Sequence, residues 1–380
     1  MYARLSASGL RAITDKLDAG IRLELEDGVR LFECPDLLAV GWLANRARES
    51  RHGAQAFFNH NLRLEATNVC VASCLFCAFA RLQPGDDGAY TMGLEQAWDK
   101  LRERKEQTLT EVHVVNGLHP DLPWDYYLEL LRGLKRIKPG IHLKCFTAIE
   151  IAFFSELYGK SDEQILRELI DAGLDSLPGG GAEIFSERVR RKICHDKADA
   201  DRYLQIHRIA HNLGMPSNVT MLYGHIETLE ERVDHMLRTR ALQDETGGFQ
   251  AFIPLAFHPD NNQMRKLPAP TAAETLRVHA VARLMLDNVP HVKAFWIATG
   301  IEVAQTALWF GVDDLDGTVQ EERIYHMAGA PTPEAMTPEQ ITMLIREAGR
   351  DPVQAGFPAR MMDISYRKDG AGSVNFYGST

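Results

Sequence analysis

Short apolar runs alternate with longer amphipathic stretches from about residue 60 onward, and this alternation restricts the fold more than any other feature of the sequence. It is typical of βα units, in which parallel strands are joined by helices that pack on the sheet. Eight candidate strands follow one another at 62–69, 111–116, 142–147, 174–178, 217–222, 249–254, 291–296 and 311–315. Eight units over about 250 residues match a TIM-type (β/α)8 barrel of the α/β class, with a doubly wound open sheet as the alternative.

The predicted barrel covers residues 56–330 and is flanked by two smaller parts. Residues 1–55 predict an N-terminal helical extension with one helix over the first 20 residues and a second helix beginning at Asp36. Residues 331–380 predict a proline-rich link, a short helix capped by Thr337 and a loosely held tail.

Charge and composition exclude several classes of protein. A net charge of −10 argues against a broad nucleic-acid-binding surface, which is normally basic. No apolar run approaches the roughly 20 residues that span a bilayer, and the N-terminus lacks the apolar core of a signal peptide. Six cysteines, three of them clustered, are not typical of a disulfide framework in a chain of 380 residues. We therefore predict a cytoplasmic protein with no nucleic-acid or membrane partner.

Three of the cysteines, Cys70, Cys74 and Cys77, have the spacing C-x3-C-x2-C directly after the first predicted strand. A structural zinc site uses four ligands, and the other cysteines lie far away in the sequence. A thioredoxin-type pair at Cys74 and Cys77 leaves Cys70 without a role. Three thiolates suit a [4Fe-4S] cluster in which one iron has no protein ligand.

The loops that follow the predicted strands carry glycine, histidine, carboxylate and amide groups, whereas the loops that enter the strands are short helix stops. The loops after the strands of a barrel meet at one end, where catalytic groups lie. The sequence thus predicts one chemically active mouth and one structural end.

The cysteine spacing, with the aromatic residue Phe76 directly before the last cysteine, resembles the radical S-adenosylmethionine (SAM) superfamily. The resemblance implies that the open iron binds the amino and carboxylate groups of the methionine part of SAM. It also implies that an external one-electron donor, such as flavodoxin or ferredoxin, reduces the cluster, which then cleaves SAM to methionine and a 5′-deoxyadenosyl radical.

Further stretches narrow the resemblance to the aminofutalosine synthase family. The stretches are 113–127, 142–151, 174–185, 191–197 and 207–228, and the similarity extends from about residue 10 to about residue 353. Two sister families, dehypoxanthine futalosine cyclase and the F420-precursor (FO) synthase subunits, share the broad pattern. Arg63 and Glu65 depart from it, because many relatives have His and Pro there.

The implied reaction belongs to bacterial menaquinone biosynthesis. The adenosyl radical adds to the vinyl carbon of 3-[(1-carboxyvinyl)oxy]benzoate, the aryl group migrates and the side-chain carboxylate is lost. The product is 6-amino-6-deoxyfutalosine, and SAM is consumed as a co-substrate. The alternatives are a sister radical SAM enzyme, or a non-catalytic iron–sulfur or zinc module with a structural or electron-relay role.

The resemblance also assigns residues that contact SAM. Phe76 is predicted to contact the adenine, and Asn116 and Gly117 to receive the amino group. Glu150 is predicted to accept hydrogen bonds from the ribose hydroxyls, and Arg191 to hold the methionine carboxylate.

The substrate has two carboxylates, so the mouth needs cationic or strongly hydrogen-bonding side chains. The candidates for substrate binding, besides Arg191, are Arg81, His119, His225 and His258. The glycine run at 178–183 lacks the lysine and Ser/Thr of a P-loop, and Gly180 is predicted to leave clearance for a ligand.

Overall fold

The computed structural model describes residues 1–354, so the predicted tail lies outside the described residues. Strands alternate with helices through the central part of the chain. The strands are β1 (Gln55–Asn59), β2 (Asn61–Leu64), β3 (Glu111–Val114), β4 (His142–Cys145), β5 (Ser217–Tyr223), β6 (Phe249–Ala256), β7 (His291–Val292), β8 (Asp314–Gly317) and β9 (Asp351–Gln354). The helices are α1 (Tyr2–Ala7), α2 (Arg11–Asp18), α3 (Leu25–Glu33), α4 (Leu37–His52), α5 (Leu94–Arg102), α6 (Trp124–Ile137), α7 (Ala148–Tyr158), α8 (Asp162–Ala172), α9 (Glu187–Ile193), α10 (Ala200–Asn212), α11 (Leu229–Thr246), α12 (Ala272–Met285), α13 (Trp296–Thr299), α14 (Ile301–Ala307), α15 (Ile324–Met327) and α16 (Pro338–Glu347).

The strands form a closed, parallel ring, which confirms the predicted barrel. Strands β2, β3 and β4 pair in that order, as do β5, β6 and β7. Single parallel bridges complete the ring, namely Lys144 with Ser176, Leu177 with Ser217, Lys293 with Asp314 and Leu62 with Gln320. The strand predicted at 174–178 is therefore reduced to the two bridging residues Ser176 and Leu177.

The first and last predicted strands differ in extent from the structure. The chain leaves β2 after Leu64, because the backbone N–H of Ala66 donates to the Asn116 side chain (2.7 Å) instead of continuing the sheet. The last predicted strand lies slightly later than expected, at β8. Strands β1 and β9 were not predicted, and β1 pairs in parallel with both β8 and β9.

The N-terminal helices pack on the outside of the barrel. The extension contains four helices rather than the two predicted, and α3 and α4 pack against α11 and α12. The predicted start at Asp36 is confirmed, since its carboxylate accepts a hydrogen bond from the backbone N–H of Ala39 (3.1 Å). Thr337 caps α16 in the same way, through the N–H of Gln340. None of the described helices has the length and apolar character needed to cross a membrane.

Five buried charged residues lie in the barrel interior, and we call them the barrel-core charge cluster: Glu111, Lys144, Lys293, Asp314 and Asp316. The Lys144 ammonium lies 2.6 Å from the Glu111 carboxylate. The Lys293 ammonium lies 2.9 Å from Asp316 and 3.6 Å from Asp314. Each charge therefore has an opposite charge beside it, as buried ions require.

Candidate active site

A cavity of about 260 Å³ opens at the carboxyl ends of the barrel strands. The loops that follow β2, β3, β4 and β6 contribute to its lining, together with side chains of β5 itself and the glycine-rich stretch at 178–183. A larger groove of about 770 Å³ lies on the outer surface among α7, α8 and α10, but no predicted site residue lines it. The cavity at the strand ends is therefore the candidate active site.

The loop after β2 brings Cys70, Cys74 and Cys77 to the wall of this cavity. Two attachments to the region around α9 fix the loop: the N–H of Leu75 donates to the carbonyl of Ile193 (2.9 Å), and the N–H of Ser73 donates to the Asp196 carboxylate (2.9 Å). The three thiols are thus held by backbone contacts on either side of Cys74.

Arg81 stabilises the same loop instead of lining the cavity. Its guanidinium donates to the carbonyls of Ala78 and Ala80, each at 3.0 Å, and to that of Asp87 at 2.8 Å. The structure therefore does not bring Arg81 to the place predicted for a substrate contact, because its donors are used by the loop that carries the cysteines.

The thiols themselves fit a polynuclear cluster better than the alternatives. Burial raises the pKa of Cys74 to about 12 and also raises the pKa of Cys77, whereas a reactive redox pair has lowered thiol pKa values. Within residues 1–354, the group of His, Cys or acidic side chains whose donor atoms all lie within 4.8 Å of one another is His52, His291 and Asp313. The three cysteine sulfurs are thus spaced too widely for one zinc ion, whose thiolate ligands lie about 2.3 Å from the metal. They suit a [4Fe-4S] cluster.

A lysine that the sequence analysis did not select lies beside the cysteines. The Lys197 ammonium contacts the Glu183 carboxylate at 2.7 Å and lies 5.3 Å from the centre of the Phe76 ring. Burial lowers the pKa of Lys197, but the neighbouring Cys74, Glu183 and Cys194 outweigh burial and hold it well above the usual value. Lys197 is therefore a charged group in the cavity wall next to Phe76.

Arg191, which was predicted to hold the methionine carboxylate, lies elsewhere. Its side chain is 75% exposed on α9 and pairs with Glu187 one turn earlier on the same helix. The structure does not bring Arg191 to the cavity, because α9 ends at Ile193 and the cation of the stretch 191–197 that lines the cavity is Lys197.

Asn116, Gly117 and Glu150 all line the cavity, where they join three elements of the barrel. The Glu150 carboxylate accepts hydrogen bonds from the N–H of Asn116 (3.1 Å) and from the N–H of Thr147 (2.7 Å). At Gly117 a Cβ atom would lie 2.2 Å from the carbonyl oxygen of Val69, so only glycine fits against the cysteine loop.

Glu150 has a structural role whatever it binds. Burial raises its pKa to about 7, opposed by the hydrogen bonds from Thr147 and Asn116. It forms a capping box with Thr147 at the start of α7. The ribose contact predicted for Glu150 remains a prediction, and it would add to these bonds.

The glycine-rich stretch is held open by the residues around it. Gly180 lines the cavity, and the Arg190 guanidinium donates to the carbonyl of Ala182 at 2.6 Å. Glu183 has φ of 46°, in the left-handed region that a residue with a Cβ rarely adopts. Its salt bridge with Lys197 lies at this strained position, as is common at ligand sites.

The three predicted histidines are separated by the structure. His258 lines the cavity, with its Nε2 2.8 Å from the carbonyl of Ala298. The side chain of His225 is fully buried beside Glu227 (3.1 Å), outside the lining of the cavity. His119 also lies outside the lining, and its Nδ1 accepts a hydrogen bond from the N–H of Asp121 (3.1 Å). The imidazole rings of His225 and His119 thus each contact the backbone of the loop that carries them.

Several polar side chains of the lining were absent from the sequence-based candidates. They are Arg63, Glu65, His113, Glu183, Lys197, Asn218, Thr220, Asp316, Glu322 and Tyr325. The alternation of β2 and β3 was the available indication, because Arg63 and His113 are register partners on adjacent strands and extend to the same face.

Comparison with known proteins agrees with this geometry. Residues 64–238 match the family described as the Radical SAM superfamily, and residues 246–363 match the CofH/MqnC C-terminal region. The FeFe-hydrogenase maturase HydG from Carboxydothermus hydrogenoformans shares the fold, with a TM-score of 0.73 at 16% identity over 95% of this chain and 83% of that one. A closed βα barrel with three cysteines after its first inner strand defines a radical SAM enzyme, which uses a [4Fe-4S] cluster and SAM.

Two relatives specify the family more closely. The chain is 50% identical to aminodeoxyfutalosine synthase of Thermus thermophilus, over 90% of this chain and 93% of the relative. It is 48% identical to aminodeoxyfutalosine synthase of Streptomyces coelicolor, over 90% of this chain and 92% of the relative. The chain belongs to the aminodeoxyfutalosine synthase family.

Proposed function

We propose that this cavity joins the adenosyl group of SAM to 3-[(1-carboxyvinyl)oxy]benzoate. The adenosyl carbon bonds to the vinyl carbon, the aryl group migrates and the side-chain carboxylate leaves, giving 6-amino-6-deoxyfutalosine for menaquinone biosynthesis. The observation that carries the proposal is the 50% identity to a named synthase over nearly the whole chain, with the three cysteines at one cavity.

The residues of the chain hold the cofactors. Cys70, Cys74 and Cys77 would ligate three irons of a [4Fe-4S] cluster. When bound, the cluster supplies the electron that cleaves SAM. The fixed loop around Cys74 keeps the three thiolates in place while the remaining iron stays free for SAM.

The surroundings of the cluster suit the parts of SAM. The Phe76 ring offers a face for the adenine, and the turn at Asn116 and Gly117 allows the amino group to approach the backbone. Lys197 takes the place proposed earlier for Arg191, since it is the cation in the wall beside Phe76 and suits the methionine carboxylate.

The rest of the wall keeps water away from a reactive carbon radical. Leu222, Ile253, Leu255 and Phe295 form an apolar part of the lining. Exclusion of water from such a site prevents side reactions of reactive intermediates. The substrate ring, which is apolar apart from its carboxylate, suits the same surface.

The source of the electron lies outside the chain. We infer a flavodoxin or ferredoxin as donor and a bacterial cytoplasmic location, since a reduced iron–sulfur cluster and free cysteines suit a reducing compartment.

The test offers three substrates to one preparation. The protein is reconstituted anaerobically with iron and sulfide, reduced, and given SAM with the aryl enol ether, with dehypoxanthine futalosine, or with the tyrosine and diaminouracil pair of the FO synthases. Adduct formation with the aryl enol ether supports the proposal. Turnover of either other substrate alone would refute it and assign the chain to a sister activity.

A further inference from the structure

We propose that Arg63 and Glu65 together bind the ring carboxylate of the aryl enol ether and thereby fix the orientation of the substrate. This inference rests on the proposed function. Both residues line the cavity, Arg63 from within β2 and Glu65 from the position directly after its last residue, Leu64.

Among the described residues, Arg63 has N–H donors that make no hydrogen bond. One of its terminal nitrogens donates to the Asp316 carboxylate at 2.9 Å, and its guanidinium lies 5.2 Å from the centre of the Phe295 ring. Its Nε is fully buried without a hydrogen-bond partner among the described residues, so the donors that a ligand can reach are those of the terminal nitrogens. A guanidinium carries five N–H donors in a planar fork that matches a carboxylate, so a ligand carboxylate would satisfy donors that the protein leaves unused.

Glu65 is the complementary group. The residue is 4% exposed, and within residues 1–354 its carboxyl makes no hydrogen bond or ion pair with another side chain. Burial, together with the Glu322 carboxylate, raises its pKa to about 8, against the opposing charges of Arg63 and Arg323. Glu65 is therefore mostly protonated at neutral pH, and a protonated carboxyl donates an O–H hydrogen bond.

The neighbourhood of Glu65 fixes its position. The Tyr90 hydroxyl donates to the backbone carbonyl of Glu65 at 3.0 Å, which leaves the side chain free to face the cavity. No ion pair within 4.0 Å joins Arg63 to Glu65 in the described chain, although they are close in sequence on one strand end. A carboxylate between them would accept from the guanidinium on one side and from the protonated carboxyl on the other.

The aromatic surface beside Arg63 decides which carboxylate is bound. Phe295 and Tyr325 meet edge to face with ring centres 5.5 Å apart, and both line the cavity next to Ile253. This surface suits the benzoate ring. The ring carboxylate also remains in the product, so firm binding of it does not oppose the loss of the side-chain carboxylate.

The test compares two ligands and two proteins under conditions without turnover. The dissociation constants of 3-[(1-carboxyvinyl)oxy]benzoate and of 2-phenoxyacrylate, which lacks the ring carboxylate, are measured by calorimetry on unreduced, cluster-loaded enzyme with SAM bound. For the wild type we expect 2-phenoxyacrylate to bind about 10- to 100-fold more weakly, the range of a hydrogen bond to a charged group. For Arg63→Gln we expect the two ligands to bind within about threefold of each other.

Controls separate this role from a structural one. Arg167→Gln removes an exposed arginine of α8 and should leave the discrimination of the wild type unchanged. Iron content and the change in the electron paramagnetic resonance spectrum on SAM binding should match the wild type in Arg63→Gln. If that variant loses its cluster, Arg63→Lys serves instead and should discriminate less than the wild type, because a lysine lacks the planar fork.

Glu65 gives a second readout through pH. A protonated Glu65 donates to the ligand, and an ionised Glu65 repels it, so the dissociation constant of the aryl enol ether should rise as the pH passes about 8. The groups facing Glu65 are Arg63, Glu322, Arg323 and Tyr90, and none of them is changed in Glu65→Gln. That variant keeps an N–H donor at all pH values and should lose the rise.

The outcomes are distinct. Equal weakening of both ligands by Arg63→Gln, or a rise above pH 8 that persists in Glu65→Gln, would overturn the inference while leaving the synthase reaction intact. Absence of any adduct from the wild type with the aryl enol ether would instead refute the proposed function.

Discussion

Buried charges in the barrel interior form two groups, the barrel-core charge cluster and the charges that line the cavity. The two groups differ in how their members are paired. In the barrel-core charge cluster each charge lies within 4.0 Å of an opposite charge, as Lys144 and Glu111 do at 2.6 Å. At the cavity, within residues 1–354, Glu65 has no ion pair, and Arg63 pairs with Asp316 of the cluster but keeps further donors without acceptors. The cluster faces opposite charges inside the barrel and supports the fold, whereas Arg63 and Glu65 border the cavity with hydrogen-bonding capacity that a ligand can use.

The same comparison applies to sulfur. Cys34 is buried in the N-terminal extension, where its thiol lies 3.7 Å from the carbonyl of Ser8, and it has a packing role. Cys70, Cys74 and Cys77 lie instead on a loop whose backbone is fixed and whose sulfurs face the cavity. Position relative to the cavity therefore separates the proposed cluster ligands from a packing residue of the same type.

The largest effect is expected at the cysteine loop. Cys74→Ala should abolish SAM cleavage and lower the iron content, because a [4Fe-4S] cluster with two protein ligands is not held. Cys34→Ala is the matched control and should retain both. The measurement is methionine and 5′-deoxyadenosine release in the reduced, anaerobic protein. SAM cleavage by Cys74→Ala at the rate of the wild type would remove the basis of the cluster assignment.

The barrel-core charge cluster is tested by breaking one of its ion pairs. Burial raises the pKa of Glu111, but Lys144 and the nearby histidines outweigh burial and hold it well below the usual range. Lys144→Met would leave this carboxylate buried without its cation, and the free energy of unfolding should fall by about 3–5 kcal/mol. Adding Glu111→Gln should restore part of it. Urea unfolding measures the free energy of unfolding of both variants. A decrease of under about 1 kcal/mol in Lys144→Met would contradict the pairing within the cluster as a source of stability.

In the cavity wall, the cation Lys197 should affect ligand binding more than folding. Lys197→Met should weaken SAM binding about 10- to 100-fold, because a charge-assisted contact to the methionine carboxylate is lost. Lys197→Arg should be intermediate, and Lys192→Met, which changes an exposed residue of α9, should bind SAM as the wild type does. Equilibrium dialysis with unreduced, cluster-loaded protein gives the affinities. If Lys197→Met binds SAM as tightly as the wild type does, Lys197 does not bind the methionine carboxylate.

Glu150 is a buried acidic residue of the cavity wall and should give the smallest effect. Burial raises the pKa of Glu150 from its usual 4.5 to about 7, so the folded state binds the proton more tightly and stability falls as the pH rises from about 4.5 to about 7. Glu150→Gln should flatten that part of the stability profile and weaken SAM binding by a few-fold. A profile that keeps its slope would show that another group titrates there, and unchanged SAM affinity would count against the ribose contact.

The sequence predicted the barrel because the βα alternation and the cysteine spacing are local patterns. Strands β3, β4, β5 and β6 lie within the predicted runs or extend slightly beyond them. The strand at 174–178 and the added pairs of β1 with β8 and β9 depend on contacts between distant parts of the chain, which no local pattern contains.

The site residues also divide into those that local sequence patterns predict and those whose position depends on the folded chain. Cys70, Cys74, Cys77, Asn116 and Gly117 follow directly from motif and strand-end position, and the structure gathers them at one cavity. The cations were harder to predict, since a side chain's direction depends on where a helix ends or how a loop folds.

Arg191 and Lys197 illustrate this, because they are six positions apart and one faces solvent while the other lines the cavity. Arg63 and Glu65 were noticed as departures from relatives, yet only the cavity shows that both face a common space.

The fate of the adenosyl group tests the proposed synthase reaction most directly. We would supply SAM carrying carbon-13 throughout its adenosyl part, with 3-[(1-carboxyvinyl)oxy]benzoate, to the reduced enzyme, and follow the label by mass spectrometry. The account predicts that the label enters an aryl-bearing product in an amount equal to the SAM consumed, with loss of the side-chain carboxylate. Label recovered only as free 5′-deoxyadenosine would contradict it.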